Sequence, residues 1–378
     1  MKYLKYPSAR IIDETVRILY QDLIHEQDRR LIRFSFNPDI TQKDLNDFLN
    51  QWDIEAAGSN SAVILAYFMK MHPELQFNAY TGPRLKGLLK FLRFQNLELI
   101  GHFSKIVRQL NQKGITPMLI KGGAMRYLRS DLPRVMGDMD ILLHSEEELN
   151  IAKQSVLEMG YSFSDEKHSF DVHPKNNPEK GIIDIHRFFG FLPQLNEEIN
   201  NEMFKRSTKQ RIFSVDAYLP APEDMVFICL NNLARNLKES TSIRGIPQAI
   251  FDLTYLISFK KDFDWNIVMR DIVLTNTHVA SYLAMRFINQ AVPDIFPEFL
   301  LSNKKLYRDL ENFVNYDKFY SLYVHDVKFA CKKLRFIKAI RHWSTFKNYL
   351  RLEGQHFFTK RIIKHPLLIR LFFKYFSG

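Results

Sequence analysis

Two glycines and two acidic residues in one stretch of the chain have the types and spacing that phosphate and metal chemistry needs. The glycines follow a lysine, in Lys121-Gly122-Gly123, and the acids are Asp138 and Asp140, which enter an apolar run. Carboxylates two residues apart on a strand point to the same face, so both acids can bind the same metal ions. Gly122 and Gly123 would let the backbone approach phosphate groups, and the N–H groups of the following helix would face them.

A third carboxylate, Asp184, lies in a second apolar run, Ile182-Ile183-Asp184-Ile185. Three converging carboxylates would form a site for Mg²⁺ or Mn²⁺, since Mg²⁺ prefers oxygen ligands. Two such ions about 3.5–4 Å apart stabilise the attacking and the leaving oxygen when a nucleotidyl group leaves a triphosphate. We therefore predict Asp138 and Asp140 as ligands of both ions. Asp184 would complete the ion that activates the acceptor hydroxyl.

Two basic residues and one histidine accompany these acids. Lys121 and Arg134 are candidate triphosphate contacts, because Arg can bind phosphate oxygens through two parallel hydrogen bonds. The alternative for both is a solvated charge or a cation at a helix C-terminus. His186 lies two residues beyond Asp184 and hence on the same strand face. It either orients a phosphate or the acceptor, or is a packed, hydrogen-bonded histidine.

Each acidic motif also has a simpler interpretation. Asp-x-Asp occurs in haloacid-dehalogenase phosphatases and in many glycosyltransferases, but there the apolar strand precedes the pair. Here the strand follows Asp140, which favours nucleotidyl transfer. The alternatives are a solvated pair that caps a strand for Asp138 and Asp140, and a surface acid on an edge strand for Asp184. For Gly122-Gly123 the alternative is an ordinary strand-to-helix turn.

The hydrophobic pattern places these motifs in a small sheet domain between helices. Thr41 precedes an apolar series at helical spacing and is a candidate N-cap. A helix predicted over about 84–113 ends at Gly114, and helices return from Glu223 onward. Over 115–220 the order is β-α-β-α-β-β-β, which predicts a mixed sheet covered by helices. The predicted fold class is α+β, a small mixed β-sheet core flanked by N- and C-terminal helical regions. Its parts are an N-terminal helical region (1–114), the core (115–220), a C-terminal helical region (221–330) and a basic aromatic helical tail (331–378).

Together the motifs resemble the nucleotidyltransferase superfamily that includes DNA polymerase β. That superfamily shares a Gly-Gly or Gly-Ser turn, then Asp-x-Asp, then a third acid in an apolar strand. More narrowly, Leu119-Ile120-Lys121-Gly122-Gly123-Ala124, Arg134 and Ile183-Asp184-Ile185-His186 look like the mostly bacterial nucleotidyltransferase family proteins. The resemblance covers about residues 95–260 and implies that 115–220 is a nucleotidyltransferase core.

Two features downstream bear on this resemblance. Arg244 and Asp252 resemble the downstream helical segment of the same group, and we interpret them as a structural ion pair rather than as catalytic groups. Relatives often have histidines in the segment that here reads Asn231-Asn232-Leu233-Ala234-Arg235-Asn236, which has none. If those histidines contact substrate in the relatives, the acceptor or the activity differs here.

Composition narrows the class of protein further. The chain is 46% hydrophobic and 25% charged, which is typical of a globular and mostly helical protein. Its two cysteines, Cys229 and Cys331, argue against a disulfide framework or a zinc site and indicate a reducing compartment. The N-terminus lacks an apolar run of signal-peptide length, and no apolar run approaches the ~20 residues that span a bilayer. We therefore expect a cytoplasmic protein.

The net charge of +11 belongs to the end of the chain. Residues 331–378 contain twelve Lys or Arg and one acid, Glu353, interleaved with aromatic residues, whereas the rest of the chain is neutral. One interpretation is a helix that packs its apolar face on the body of the protein. The others are a tail that lies on the anionic inner face of the membrane and a tail that binds nucleic acid.

The sequence thus predicts a metal-dependent enzyme that moves a nucleoside monophosphate from an NTP to an acceptor hydroxyl and releases pyrophosphate. The metal would be Mg²⁺ or Mn²⁺, and the acceptor a small molecule, a glycan or a protein. One alternative is a non-catalytic nucleotide-binding or scaffold protein that keeps the fold. Another is a peripheral membrane protein whose tail is its main functional part.

Overall fold

The computed structural model describes residues 16–301, with gaps at 18–19, 22–23, 25, 38, 53–58, 131–133, 166–168, 178–180, 189–195, 240–244, 260–262 and 276. The predicted tail, 331–378, and Arg244 lie outside the described residues. Among the described elements, helices come first, a sheet occupies the middle of the chain, and helices follow. This arrangement is the α+β organisation predicted from the sequence.

Within the described residues, four helices with full bounds precede the sheet, and two of their ends have the capping residues that the sequence indicates. They are α1 (Glu26–Ser35), α2 (Gln42–Leu49), α3 (Ser59–Met71) and α4 (Thr81–Gln112). Thr41 and Asp44 form a reciprocal capping box at the start of α2. After α4, Gly114 adopts a left-handed φ of 81°, and the N–H of Ile115 donates to the Leu110 carbonyl at 2.9 Å. The predicted end of this helix is therefore confirmed.

Seven strands form one mixed sheet in the order β3-β4-β5-β2-β1-β7-β6. The strands are β1 (Met118–Ile120), β2 (Met139–Leu142), β3 (Ser162–Asp165), β4 (Ser169–His173), β5 (Ile183–His186), β6 (Thr208–Ile212) and β7 (Val215–Leu219). The pairs β2/β5 and β1/β7 are parallel, and the other neighbouring pairs are antiparallel. All residues of β1 and β2 are buried, as expected of strands covered on both faces.

In the described part of the chain, three helices lie between strands, and the remaining helices follow the sheet. The first three are α5 (Lys121–Leu128), α6 (Glu146–Glu158) and α7 (Asn196–Arg206). The later ones are α8 (Pro222–Glu239), α9 (Ile246–Phe259), α10 (Trp265–Leu274), α11 (His278–Ala291) and α12 (Glu298–Leu301). One continuous hydrophobic core runs through the N-terminal helices, the sheet and the later helices. None of the helices in the described part of the chain has the length and apolar character needed to cross a membrane.

The region 115–220 contains more elements than the predicted order β-α-β-α-β-β-β. The structure adds α7 and the hairpin of β6 and β7, whose turn residues Phe213 and Ser214 both have positive φ. Most of β6 is a polar run on the solvent side, so it lacks the apolar alternation that reveals a strand. Its turn also lacks the Asn-Gly or Asp-Gly pair that usually marks a tight hairpin. The predicted domain boundaries at 114 and 220 stay a prediction.

Candidate active site

Strand register places the acids of three strands side by side on the sheet. Asp140 on β2 is opposite Asp184 on the parallel strand β5. Asp184 is in turn opposite Asp171 on the antiparallel strand β4. Opposite residues on neighbouring strands project to the same face. Asp140, Asp184 and Asp171 therefore form a row of carboxylates across the sheet.

His186 connects the two central acids of this site. Its Nε2 lies 3.0 Å from an Asp140 carboxylate oxygen and 2.8 Å from an Asp184 carboxylate oxygen. One ligand atom from each of the three residues lies within 4.8 Å of the others. The structure thus brings Asp140 and Asp184 together, as the sequence predicts, and adds the histidine to the same group. His186 is hydrogen-bonded, as in one of its two interpretations from the sequence, and its contact with a phosphate or the acceptor stays a prediction.

Asp138 lies near this group but outside its closest contacts. It precedes β2, whose first residue is Met139, so strand alternation does not fix its direction. Within the described residues it is not part of the close group of Asp140, Asp184 and His186, and it reaches solvent. The surrounding protein atoms and, next, the negative charge of Asp140 raise the pKa of Asp138 to about 6. Asp138 therefore lies at the rim of the site, and its role as a metal ligand stays a prediction.

Lys121 points into the acids rather than away from them. Its ammonium forms an ion pair with Asp140 and lies 3.3 Å from Nε2 of His186. The residue has a φ of 47°, a left-handed conformation that costs a residue with a Cβ about 1–2 kcal/mol. Lys121 is thus a counterion of Asp140 in this structure, and its contact with a triphosphate stays a prediction.

The charges in this group shift two pKa values. Burial alone would raise the pKa of Asp140, but the Lys121 ammonium and the hydrogen bond with His186 outweigh it. They hold the pKa of Asp140 well below its usual range. Burial and the Lys121 charge would lower the pKa of His186, but its hydrogen bonds to Asp140 and Asp184 leave that pKa raised. Asp140 is therefore a carboxylate at all ordinary pH values.

The two glycines at the start of α5 have different surroundings, which would affect an added side chain differently. A Cβ on Gly123 would lie 2.5 Å from a Leu119 side-chain carbon and 3.1 Å from one of Met139, so this glycine permits close packing of α5 on the sheet. A Cβ on Gly122 would lie 3.2 Å from Nε of Arg134. The structure therefore assigns Gly123 a packing role, and the predicted approach of phosphate to both glycines stays a prediction.

Arg134 lies over this turn and forms an ion pair with Asp252 on α9. Its Nε is buried and has no hydrogen-bond partner among the described residues. Asp252 is thus in an ion pair with Arg134, whereas its predicted pair with Arg244 lies outside the described residues. Arg134 and Asp252 are far apart in the sequence, so no local pattern indicates their contact.

Sequence reasoning missed Asp171. The alternation Ser169-Phe170-Asp171-Val172-His173 predicts that Asp171 and His173 share a face of β4, but it does not say which strand lies beside them. That information comes from the pairing of β4 with β5. The charge of Asp171 also contributes to the raised pKa of Asp138. Asp171 is therefore a fourth acid of the site.

The donor set fits a divalent cation. Asp184 has one carboxylate oxygen, Oδ1, that is buried and lacks a hydrogen-bond partner among the described residues. Such an oxygen is costly to bury unless a ligand completes it. The Lys121 ammonium supplies one positive charge to Asp140, at the same carboxylate oxygen that Nε2 of His186 contacts. Two carboxylates and an imidazole nitrogen suit Mn²⁺ as well as Mg²⁺, because the nitrogen is a softer ligand.

Comparison with known proteins identifies the family. Residues 64–293 match the family described as uncharacterised nucleotidyltransferase. The chain belongs to this nucleotidyltransferase family. The match includes α4, the whole sheet and α8–α11, so it contains every site residue described above.

Other comparisons add little to the family assignment. No curated protein matches the chain. One similar solved structure is that of an antigenic nucleotidyltransferase-like protein from Paracoccidioides brasiliensis, with 13% sequence identity and a TM-score of 0.33. The alignment covers 50% of this chain and 92% of the other. At this level the similarity carries no argument about substrate or mechanism.

Proposed function

We propose that this member of the nucleotidyltransferase family is an active, metal-dependent enzyme. It would transfer a nucleoside monophosphate from an NTP to an acceptor hydroxyl and release pyrophosphate. The observation that carries the proposal is the convergence of Asp140, Asp184 and His186 beside the start of α5. The unpartnered oxygen of Asp184 supports it, because a cation would complete that oxygen.

Asp140, Asp184 and His186 would hold the metal, and Asp138 would reach it from the rim. A bound divalent cation would stabilise the charge that develops on phosphate oxygens during transfer. The N–H groups of Gly122 and Gly123, at the positive end of the α5 dipole, would bind the triphosphate. Arg134, which lies against Gly122, would add a guanidinium to the same phosphates. Lys121 would leave Asp140 when the cation binds and then face the phosphates.

The second candidate is a non-catalytic nucleotide-binding or scaffold protein. The ion pair of Lys121 with Asp140 favours it, because the protein already supplies a cation to one of the metal-binding acids. Thermal shift measurements with each NTP, with and without Mg²⁺ or Mn²⁺, separate the two candidates. A ligand that binds the folded state raises the melting temperature. For the enzyme, we expect an NTP to raise the melting temperature only when the metal is present.

The decisive experiment is transfer of label from α-labelled NTPs to components of a cell extract, with mass spectrometry to identify the added nucleotide. Asp140→Asn should lower transfer by about a hundredfold or more, because the site loses a charged ligand. Asp165→Asn is the matched control, since Asp165 is an exposed acid at the far edge of the same sheet. Full turnover by the Asp140→Asn protein would refute the proposal.

The partners of the tail stay a prediction. A membrane-peripheral role predicts that liposomes containing anionic lipid retain the full chain in flotation and lose a variant that lacks 331–378. Retention of both proteins would place any lipid contact elsewhere, and retention of neither would leave the packed-helix and nucleic-acid interpretations of the tail.

A further inference from the structure

A basic pocket lies beside the second half of α5, and Asp140, Asp184 and Asp171 are not among its lining residues. Its walls come from α3, from α5 and the segment after it, and from α9. Arg126, Arg129 and Arg134 line it, and Asp252 is its single acidic lining residue. The lining residues thus carry three guanidinium groups and one carboxylate. Such an environment repels cations and attracts anions.

Several polar atoms in this pocket have no hydrogen-bond partner among the described residues. They include Nη1 of Arg126, Nε of Arg134 and Oε1 of Gln248, and all three are buried. A buried donor without a partner is costly, so two arginine N–H groups here indicate an acceptor that binds from outside the chain. Burial and, next, the charge of Arg93 lower the pKa of Arg126, which agrees with an excess of positive charge at this point.

Aromatic residues give the pocket a rigid wall. The guanidinium of Arg129 lies 4.0 Å from the centroid of the Tyr255 ring, a cation–π contact that fixes its plane. Tyr67 and Phe251 pack against each other with centroids 4.4 Å apart. The enclosed space is only about 20 Å³, which is room for about one water molecule or one oxygen atom. A ligand would therefore insert one oxygen and keep the rest of the anionic group at the mouth.

The position of the pocket along α5 separates it from the expected triphosphate site. Arg126 lies four positions after Gly122 and hence on the same face of α5, and Arg129 directly follows the last residue of the helix. With a rise of 1.5 Å per residue, they are about 6 and 10 Å farther along the axis than Gly122. Two of the walls, α3 and α9, come from the helical regions on either side of the sheet. Residues of these helical regions would therefore contribute to selection of the acceptor.

We propose that this pocket is an anion subsite in which Arg126 and Arg129 bind a phosphate group of the acceptor. The assignment of this phosphate to the acceptor rests on the proposed function, whereas the binding of an anion in the pocket does not. The acceptor would then be a phosphorylated molecule with its hydroxyl directed toward Asp140 and Asp184. Arg134, which contacts both Gly122 and the pocket, would separate the phosphate of the acceptor from those of the NTP.

The test is calorimetric titration of the full-length protein with inorganic phosphate, without metal and without NTP. Arg126→Gln should weaken phosphate binding about tenfold, the loss of one charge-assisted hydrogen bond. Arg108→Gln, an exposed arginine on α4, should leave the affinity within about twofold. The Arg126→Gln variant should keep its fold, because Nη1 of Arg126 has no partner in the described residues. Its melting temperature without ligand verifies this. Arg126→Lys, which keeps the charge, should give an intermediate affinity.

A second titration includes saturating non-hydrolysable NTP and Mn²⁺. Unchanged phosphate affinity supports a site for the acceptor, whereas loss of phosphate binding assigns the pocket to the nucleotide and overturns the proposal. Failure of phosphate to bind the wild type, or equal binding by Arg126→Gln, also overturns it. Because the first titration needs neither metal nor turnover, an Asp140→Asn protein that lacks transfer activity should still bind phosphate. The two proposals therefore fail independently.

Discussion

The Lys121 ammonium is paired with the Asp140 carboxylate, so the cation that neutralises the central acid of the site belongs to the protein itself. Both side chains are largely buried, with exposed fractions of 14% and 9%. A metal ion that binds Asp140 must therefore displace or rearrange this lysine. We therefore expect Lys121 to compete with a metal ion for Asp140.

Replacing Lys121 with Met should strengthen metal binding, because no ammonium then has to leave Asp140. We expect the dissociation constant for Mn²⁺ to fall about tenfold, which corresponds to about 1.4 kcal/mol. Isothermal titration of the metal-free variant measures it. Lys113→Met is the control, since Lys113 pairs with Glu158 away from the site. Weaker metal binding by the Lys121 variant would show that the lysine assists the metal instead of competing with it.

His186 should bias the site toward Mn²⁺. An imidazole nitrogen suits Mn²⁺ better than Mg²⁺, which prefers oxygen ligands throughout. His186→Asn offers a carbonyl oxygen instead, so the ratio of Mn²⁺ to Mg²⁺ affinity should fall by about tenfold. Titration with each metal gives the ratio, and His102→Asn on α4 is the control. An unchanged ratio would mean that His186 only positions Asp140 and Asp184 through hydrogen bonds.

The adjacent glycines should respond differently to alanine. In Gly123→Ala the new methyl group overlaps Leu119, so overpacking of about 1–3 kcal/mol should exceed the helix preference for Ala of about 1 kcal/mol. In Gly122→Ala the methyl group only contacts the Arg134 side chain. Its free energy of unfolding should stay equal or rise slightly, while nucleotide binding weakens. Urea unfolding compares the two variants, and equal stability of both would contradict the packing argument.

A buried ion cluster outside the site should make stability depend on pH. Arg206 binds Asp224 and Asp271, and the side chains of both acids are fully buried. Burial raises the pKa of Asp224 to about 6, even though Arg206 binds its carboxylate. Between its ordinary value of 3.8 and about 6 the folded protein therefore holds more protons than the unfolded chain. The contribution of Asp224 to the free energy of unfolding is largest below pH 3.8 and is lost as the pH rises through 6.

Asp224→Asn should remove this component. The difference in unfolding free energy between wild type and variant, measured by urea denaturation from pH 4 to 7, should shift in favour of the variant as the pH rises. Arg206→Gln should be more damaging, by about 3–5 kcal/mol, because it leaves two buried carboxylates without their shared partner. Glu202→Gln, at the more exposed edge of the cluster, is the control. A difference between wild type and Asp224→Asn that does not change with pH would contradict the raised pKa.

The sequence by itself determined the local chemistry and much of the secondary structure. The glycine turn, Asp140 and Asp184 in apolar strands, and the capped ends of α2 and α4 depend on short-range patterns. A strand of period two and a helix of period 3.6 leave such patterns in any chain. The family resemblance rested on the same residues, and the family match confirms it.

Only the tertiary structure decided which side chains meet. The pairing of β4 with β5 brings Asp171 beside Asp184, and the ion pair of Arg134 with Asp252 joins the core to α9. Asp138 directly precedes β2 and is exposed at the rim of the site. Strand order, register and helix packing are set by burial of a core shared across distant segments. The periodicity of apolar residues does not say which strands or helices become neighbours, since many pairings bury the same apolar faces.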